Sequence, residues 1–223
     1  MRFFTLLVGV LILTVSGRSQ MLYSTSFEAP TFVAGPLFGL PVGQGGWKTT
    51  STTGRIATSG VGGALPVDGS QFYELQSRIT TDSTSSYRSW IDLSQAWAAR
   101  TPGNDYLVIK VWLYLPPSGA RDTAYGISTR ITDGFSIGEA ELGTDQHYVS
   151  LSGEYADNFL DIDPYAWHEL ILVLDYRYGR SREYVDGFLT ERFSFFNPLT
   201  PYPNPQIGVE MFYNVDQIAK GYF

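Results

Sequence analysis

Two pairs of carboxylates, two histidines and five tryptophans are the residues of this 223-residue chain whose types could do chemistry. Glu139 and Glu141 are the nearest pair, and residues two apart on a strand project from one face. Acids so placed cleave glycosidic bonds when their carboxyls stand roughly 5 to 9.5 Å apart. The alternative, which we prefer, is two solvated carboxylates on an exposed strand. Glu169 and Glu210 form a second pair only if their strands are neighbours. His168 keeps step with Leu170 and Leu172, so we read it as a structural histidine rather than a general base. His147 follows Gln146, and no His pair has metal-ligand spacing. With no cysteine either, no transition-metal site is expected. Asp157, Asp161 and Asp163 supply oxygen ligands that suit Ca²⁺ in a loop, the one cofactor left open; a solvated acidic loop is the alternative.

A site that only binds needs less machinery: flat rings to stack on a ligand and a few polar groups to orient it. Trp112 and Tyr114, with Lys110, Arg130 and Trp90, are the expected set, provided that one face of adjacent strands presents them together. The competing reading covers those rings with loops. Tyr176 and Tyr178, on a turn, are a second aromatic candidate, or simply amphipathic surface.

Strands must position these residues. Trp167 to Asp175 is a β-rich apolar run, a Gly-containing turn occupies Tyr176 to Ser181, and Arg182 to Val185 leads into Asp186-Gly187, a strong hairpin signal. Further β-type runs are Met21 to Phe27, Arg55 to Ser59, Gln71 to Ser77, Tyr87 to Leu93, Tyr106 to Leu115, Tyr125 to Ile131, His147 to Leu151 and Ile207 to Asn214. Gly and Pro punctuate them at Gly62-Gly63, Asp68-Gly69, Pro102-Gly103, Pro116-Pro117 and Asp133-Gly134, the pattern of an all-β antiparallel sandwich. In Tyr106 to Leu115 every odd position is apolar, so that face belongs to the core and the even positions point out. The same parity puts Arg88, Trp90, Asp92, Ser128, Arg130, Glu210 and Phe212 outward. A helical turn fits only Leu93 to Arg100, with Asp92 as its N-cap. Ala29 to Gly46, with three Pro and five Gly, reads as a long loop, and Asn197 to Pro205, with four Pro in nine residues, as a connection. Ala219 to Phe223 reads as the start of a last strand, either very short or cut off.

Residues 1–19 read as a secretory signal: Arg2, an apolar stretch from Phe3 to Val15, and small residues before Ser19. The stretch is short against the roughly 20 residues of a membrane span. A retained anchor is the alternative. Residues 20–223 then form one domain. Losing Arg2 and Arg18 with the signal takes the net charge from −7 to −9, which argues against nucleic acid or anionic lipid as partner. An exported chain without cysteine has no disulfides to lean on, so its stability rests on its core.

Two motifs carry a resemblance. Trp167-His168-x-Leu170-x-Leu172-x-Leu174-Asp175 followed by Tyr184-Val185-Asp186-Gly187 resembles a hairpin of laminin G-like domains. Phe27-Glu28-x-Pro30 through Gly35-x-Leu37-x-Gly39 to Gly43-Gln44-x-Gly46-Trp47 is similar to an opening motif of secreted bacterial sandwich proteins, with Leu40 to Val42 as an insertion. The chain thus resembles the concanavalin A-like lectin/glucanase superfamily. The resemblance implies a jelly-roll β-sandwich and, as function, extracellular binding of carbohydrate or another cell-surface component. Its alternatives are a polysaccharide-cleaving hydrolase or lyase and a structural surface domain without a small ligand. Retaining glucanases of that superfamily use Glu-x-Asp-x-x-Glu, and Glu139-Ala140-Glu141-Leu142-Gly143-Thr144 lacks the last acid. Gln146-His147 and Arg182-Glu183-Tyr184 are similar to fragments of polysaccharide lyases, whose other elements are missing.

Overall fold

The computed structural model describes residues 20–37, 43–50, 54–60, 63–76, 86–114, 124–130, 136–143, 149–150, 163, 165–194, 205–212 and 220–223. In chain order the strands are β1 (Gly35–Pro36), β2 (Lys48–Thr49), β3 (Arg55–Ala57), β4 (Phe72–Gln76), β5 (Ser86–Asp92), β6 (Tyr106–Tyr114), β7 (Ala124–Arg130), β8 (Ser136–Gly143), β9 (Val149–Ser150), β10 (Trp167–Asp175), β11 (Arg180–Val185), β12 (Phe188–Ser194), β13 (Gln206–Phe212) and β14 (Lys220–Tyr222). One sheet has eight strands in the order β1-β3-β4-β14-β6-β10-β11-β12, the other six in the order β2-β5-β13-β7-β8-β9. All pairings between described strands are antiparallel. Among the described residues no helix is long and apolar enough to cross a membrane.

Alternation explains how the sheets meet. Leu107, Ile109 and Leu113 of β6 and Leu170, Leu172 and Leu174 of β10 are buried on one side of the larger sheet. Ile91, Ile127, Leu142 and Val209 close the core from the smaller sheet. Each such leucine contributes roughly 1.5 to 3 kcal/mol by leaving water. On the other side of β6, Tyr106, Val108 and Lys110 are exposed, as the parity predicts.

Two expectations need correction. Met21 to Phe27 forms no strand. Phe27 adopts φ +60°, its N–H is taken by Thr25 Oγ1 at 3.0 Å, and Leu22 and Tyr23 pack on the core, so the segment turns in rather than joining a ladder. The Ala29 to Gly46 loop contains β1 and a short 3₁₀ turn, Gln44–Gly46, and sends Phe32 and Leu37 into the core. The short helix, α1, spans Ser94–Ala98; Leu93 is its N-cap, while Asp92 Oδ1 accepts the Ser94 N–H at 2.9 Å from one residue further out. The last strand is present as β14, which pairs with β4 on one side and with β6 at Tyr222 and Tyr114 on the other.

The β10–β11–β12 meander is tied by side chains as well as by its ladders. Asp186 and Gly187 both have positive φ, +50° and +82°, the backbone of a two-residue turn whose second position suits glycine. Asp186 Oδ1 accepts the Glu169 N–H at 2.8 Å, and Oδ2 lies 2.7 Å from Nδ1 of the buried His168. The other ring nitrogen, Nε2, lies 2.8 Å from the Asp163 carbonyl. Both oxygens accept, so either ring N–H has a receiver. His168 is therefore structural.

Replacing Asp186 by Ala removes two bonds and leaves the buried imidazole short of a partner. We expect a loss of about 2 kcal/mol of unfolding free energy in urea melts. A second prediction concerns Tyr73, whose buried hydroxyl meets Ser89 Oγ at 2.6 Å. Burial pushes its phenol up from 10.0 to about 12. The unfolded chain therefore releases that proton first, and stability should be full below pH 10 and fall as pH rises toward 12. Tyr73→Phe should flatten this slope and cost about 1 to 2 kcal/mol at neutral pH.

Candidate functional site

The expected five-residue set is divided between the two sheets. Lys110, Trp112 and Tyr114 lie on β6 of the eight-stranded sheet, whereas Trp90 lies on β5 and Arg130 on β7 of the six-stranded one. The core separates them, so no single ligand touches all five. The outer faces are best taken in turn.

On the six-stranded sheet, β5, β13 and β7 bring Arg88, Trp90, Gln206, Gly208 and Ser128 to the side away from the core. Arg88 is buried, not outward and free. Its Nε donates to Ser128 Oγ at 3.3 Å, Nη1 to Gln206 Oε1 at 3.4 Å and Nη2 to the Gln206 carbonyl at 3.2 Å, with the guanidinium 5.2 Å from the Trp90 ring centroid. A Cβ at Gly208 would stand 2.7 Å from Arg88 Nε, so the side chain crosses the sheet where β13 has none. This guanidinium holds three strands together. Arg130 is opposite Gln206 in the ladder, and its side chain lies outside the described residues.

The same register places the acids. Glu139 is opposite Ser128, Glu141 opposite Gly126, and Glu210 opposite both Gly126 and Arg88. All three backbone positions thus belong to the outer face of the six-stranded sheet; their side chains lie outside the described residues. Glu169 is on β10 of the other sheet, so the pair of Glu169 and Glu210 does not form.

The outer face of the eight-stranded sheet is more open. Trp112 is 38% exposed, Tyr106 52% and Val108 60%. Beside them, Glu169 faces Trp112 across the β6–β10 ladder and makes an ion pair with Lys110, whose ammonium lies 5.9 Å from the Trp112 ring centroid. Further along, β10 contributes Ile171 and Val173, and β11 contributes Arg180, Arg182 and Tyr184. The turn after β10 adds Arg177 and the 57% exposed Tyr178, with guanidinium carbons at 5.2 Å (Arg177) and 5.9 Å (Arg180) from the Tyr178 ring centroid.

Tyr114 leaves the set: it is buried at 5%. Although its parity is outward, Ala57, Ala64 and Phe72 cover it, Trp167 stands at 5.6 Å, and the Trp167 indole N–H donates to the Leu65 carbonyl at 2.8 Å. The segment after β3 thus roofs that end of the face. Tyr176 also leaves, because it packs at 4.7 Å on Trp97 and burial pushes its phenol up.

Alternation also sets Arg182 and Glu183 on opposite sides of β11, the first exposed and the second buried between the sheets. His147, Asp157 and Asp161 lie outside the described residues. Asp163 is exposed and uses its carbonyl on His168; among the described residues no group of three or more His, Asp or Glu could hold a metal ion. The residues missed in the sequence are Arg177, Arg180 and Arg182. Extending the period-two parity across the hairpin would have put Arg180 and Arg182 on the face of Lys110 and Trp112.

No family model matches the sequence, and no curated protein matches it. Among solved structures, a GH131 β-glucanase catalytic domain from Podospora anserina superposes with a TM-score of 0.53 at 9% identity, covering 92% of this chain and 93% of that chain. The Emp47p carbohydrate recognition domain gives 0.43 at 11% identity, with 85% of this chain and 90% of that one. A sialidase gives 0.47 at 15% identity over 77% of this chain, which spans only 16% of the sialidase's length. At such identities the likeness is one of fold. The chain has a jelly-roll β-sandwich fold, shared with that glucanase domain.

Proposed function

We propose that this protein is an extracellular binding module that holds a saccharide on the outer face of its eight-stranded sheet without cleaving it. The observation that supports this most is Trp112, an indole 38% exposed in the middle of a regular sheet, with the Lys110 and Glu169 pair alongside. An apolar ring of that size costs free energy in water unless a ligand covers it. A ring for C–H faces and fixed donors and acceptors for hydroxyls are what sugar binding requires. The signal-type segment at 1–19 supports an extracellular setting.

One observation favours cleavage as a second reading. Glu139 and Glu141 alternate on β8, which puts their Cα atoms roughly 7 Å apart, and Glu210 is two strands from Glu141 across Gly126, roughly 10 Å. Backbone positions so spaced leave their carboxyls within reach of the separation that glycosidase acid pairs use. The two readings use opposite faces of the molecule, so one set of samples separates them.

Pull-down on a panel of insoluble polysaccharides, with a reducing-sugar assay on the same tubes, is the test. Binding should fall at least about tenfold in Trp112→Ala, equivalent to about 1.4 kcal/mol, with native circular dichroism and no sugar released. Sugar release that disappears in Glu141→Gln would establish cleavage instead. Binding untouched by Trp112→Ala would remove the proposed face.

A further inference from the structure

We infer that the saccharide held on this face is a polyanion carrying a carboxylate on its rings, a polyuronate, and that Arg177, Arg180 and Arg182 are the residues that select it. The inference rests on the reading of the eight-stranded sheet as the binding face and adds the charge of its ligand.

The ladder makes the case. One row of backbone positions across the outer face runs Val108, Val173, Arg182, Arg192, with no acid among them. The next row runs Tyr106, Asp175, Arg180, Ser194. Its one acid is buried and already engaged: Asp175 Oδ1 accepts the N–H groups of Arg177 at 3.1 Å and Tyr178 at 3.2 Å. Glu169, one row beyond Lys110, is taken by Lys110. Among the described residues none of Arg177, Arg180 and Arg182 forms an ion pair with an acid.

Charge then argues for the partner. The chain as a whole is acidic, at −7, yet this edge of the sheet concentrates arginine. Guanidinium is planar and binds carboxylate through two parallel N–H bonds, a match that lysine lacks. Alternate residues on β11 place two such forks roughly 7 Å apart, and β12 sets the Arg192 position roughly 5 Å to the side. Tyr178, 57% exposed and within 6 Å of both the Arg177 and Arg180 guanidiniums, adds an aromatic ring beside the cations. A polymer with one carboxylate per ring fits cations at this spacing.

Affinity electrophoresis of the full chain tests this, in gels containing polygalacturonate, fully methyl-esterified pectin, laminarin or double-stranded DNA. Retardation by polygalacturonate alone is expected, weakening with added salt. It should fall at least about tenfold in Arg180→Ala/Arg182→Ala and measurably in Arg180→Lys/Arg182→Lys, which keeps the charge and loses the fork. Both sites are exposed, and circular dichroism of the lysine variant verifies the fold. Polygalacturonate that fails to bind, or binds the alanine variant unchanged, overturns the inference, as does equal retardation by DNA. If laminarin binds in a Trp112-dependent way while polygalacturonate does not, the saccharide face stands and its anionic selectivity falls. If nothing binds, both fall.

Discussion

Tyr73 is the contact on which the two sheets depend. Its side chain is wholly buried on β4, and its hydroxyl reaches Ser89 on β5, which passes a hydrogen bond to Thr49 Oγ1 on β2 at 2.7 Å. One phenol thus joins the eight-stranded sheet to two strands of the six-stranded one. Its ring meets Phe27 at 5.7 Å and Trp47 at 6.4 Å, which seats the N-terminal loop. Its backbone exchanges both N–H and C=O with Phe223 at 2.8 Å, which seats the last strand. Both ends of the described chain therefore close on one residue of the core.

With the sheets locked in this way, period-two alternation decides what each outer face can do. The six-stranded face spends Arg88 on Ser128 and Gln206, and so trades a binding group for strand cohesion. The eight-stranded face does the reverse. Its Glu169 is committed to Lys110 and its Asp175 to the turn after β10, and Arg180, Arg182 and Trp112 stay exposed. An unpaired cation and an uncovered indole add little to folding, and their coincidence on one surface is the physical basis for assigning the ligand there.

Much of this was legible in the sequence because strands announce themselves by parity. The core faces of β6 and β10, the Asp186-Gly187 turn and the structural role of His168 all follow from alternation and turn chemistry. Parity says nothing about which sheet a strand joins. Trp90 and Trp112 therefore looked like neighbours and are separated by the core. Burial from outside the ladder was equally invisible: the roof over Tyr114 is made by Ala57 and Ala64, from a segment far earlier in the chain. The arginines were missed because Arg182 was read as part of a hairpin arm, while its significance lies in its forming no ion pair among the described residues.

The central claim is that ligand meets the eight-stranded face and not the six-stranded one. Indole N–H resonances of the protein labelled with ¹⁵N, assigned with Trp112→Phe and Trp90→Phe, report on both faces in one spectrum. During titration with oligogalacturonate, the account predicts that the Trp112 signal shifts while the Trp90 signal stays in place. A shift at Trp90 with Trp112 unmoved would put the ligand among Glu139, Glu141 and Glu210 and contradict it.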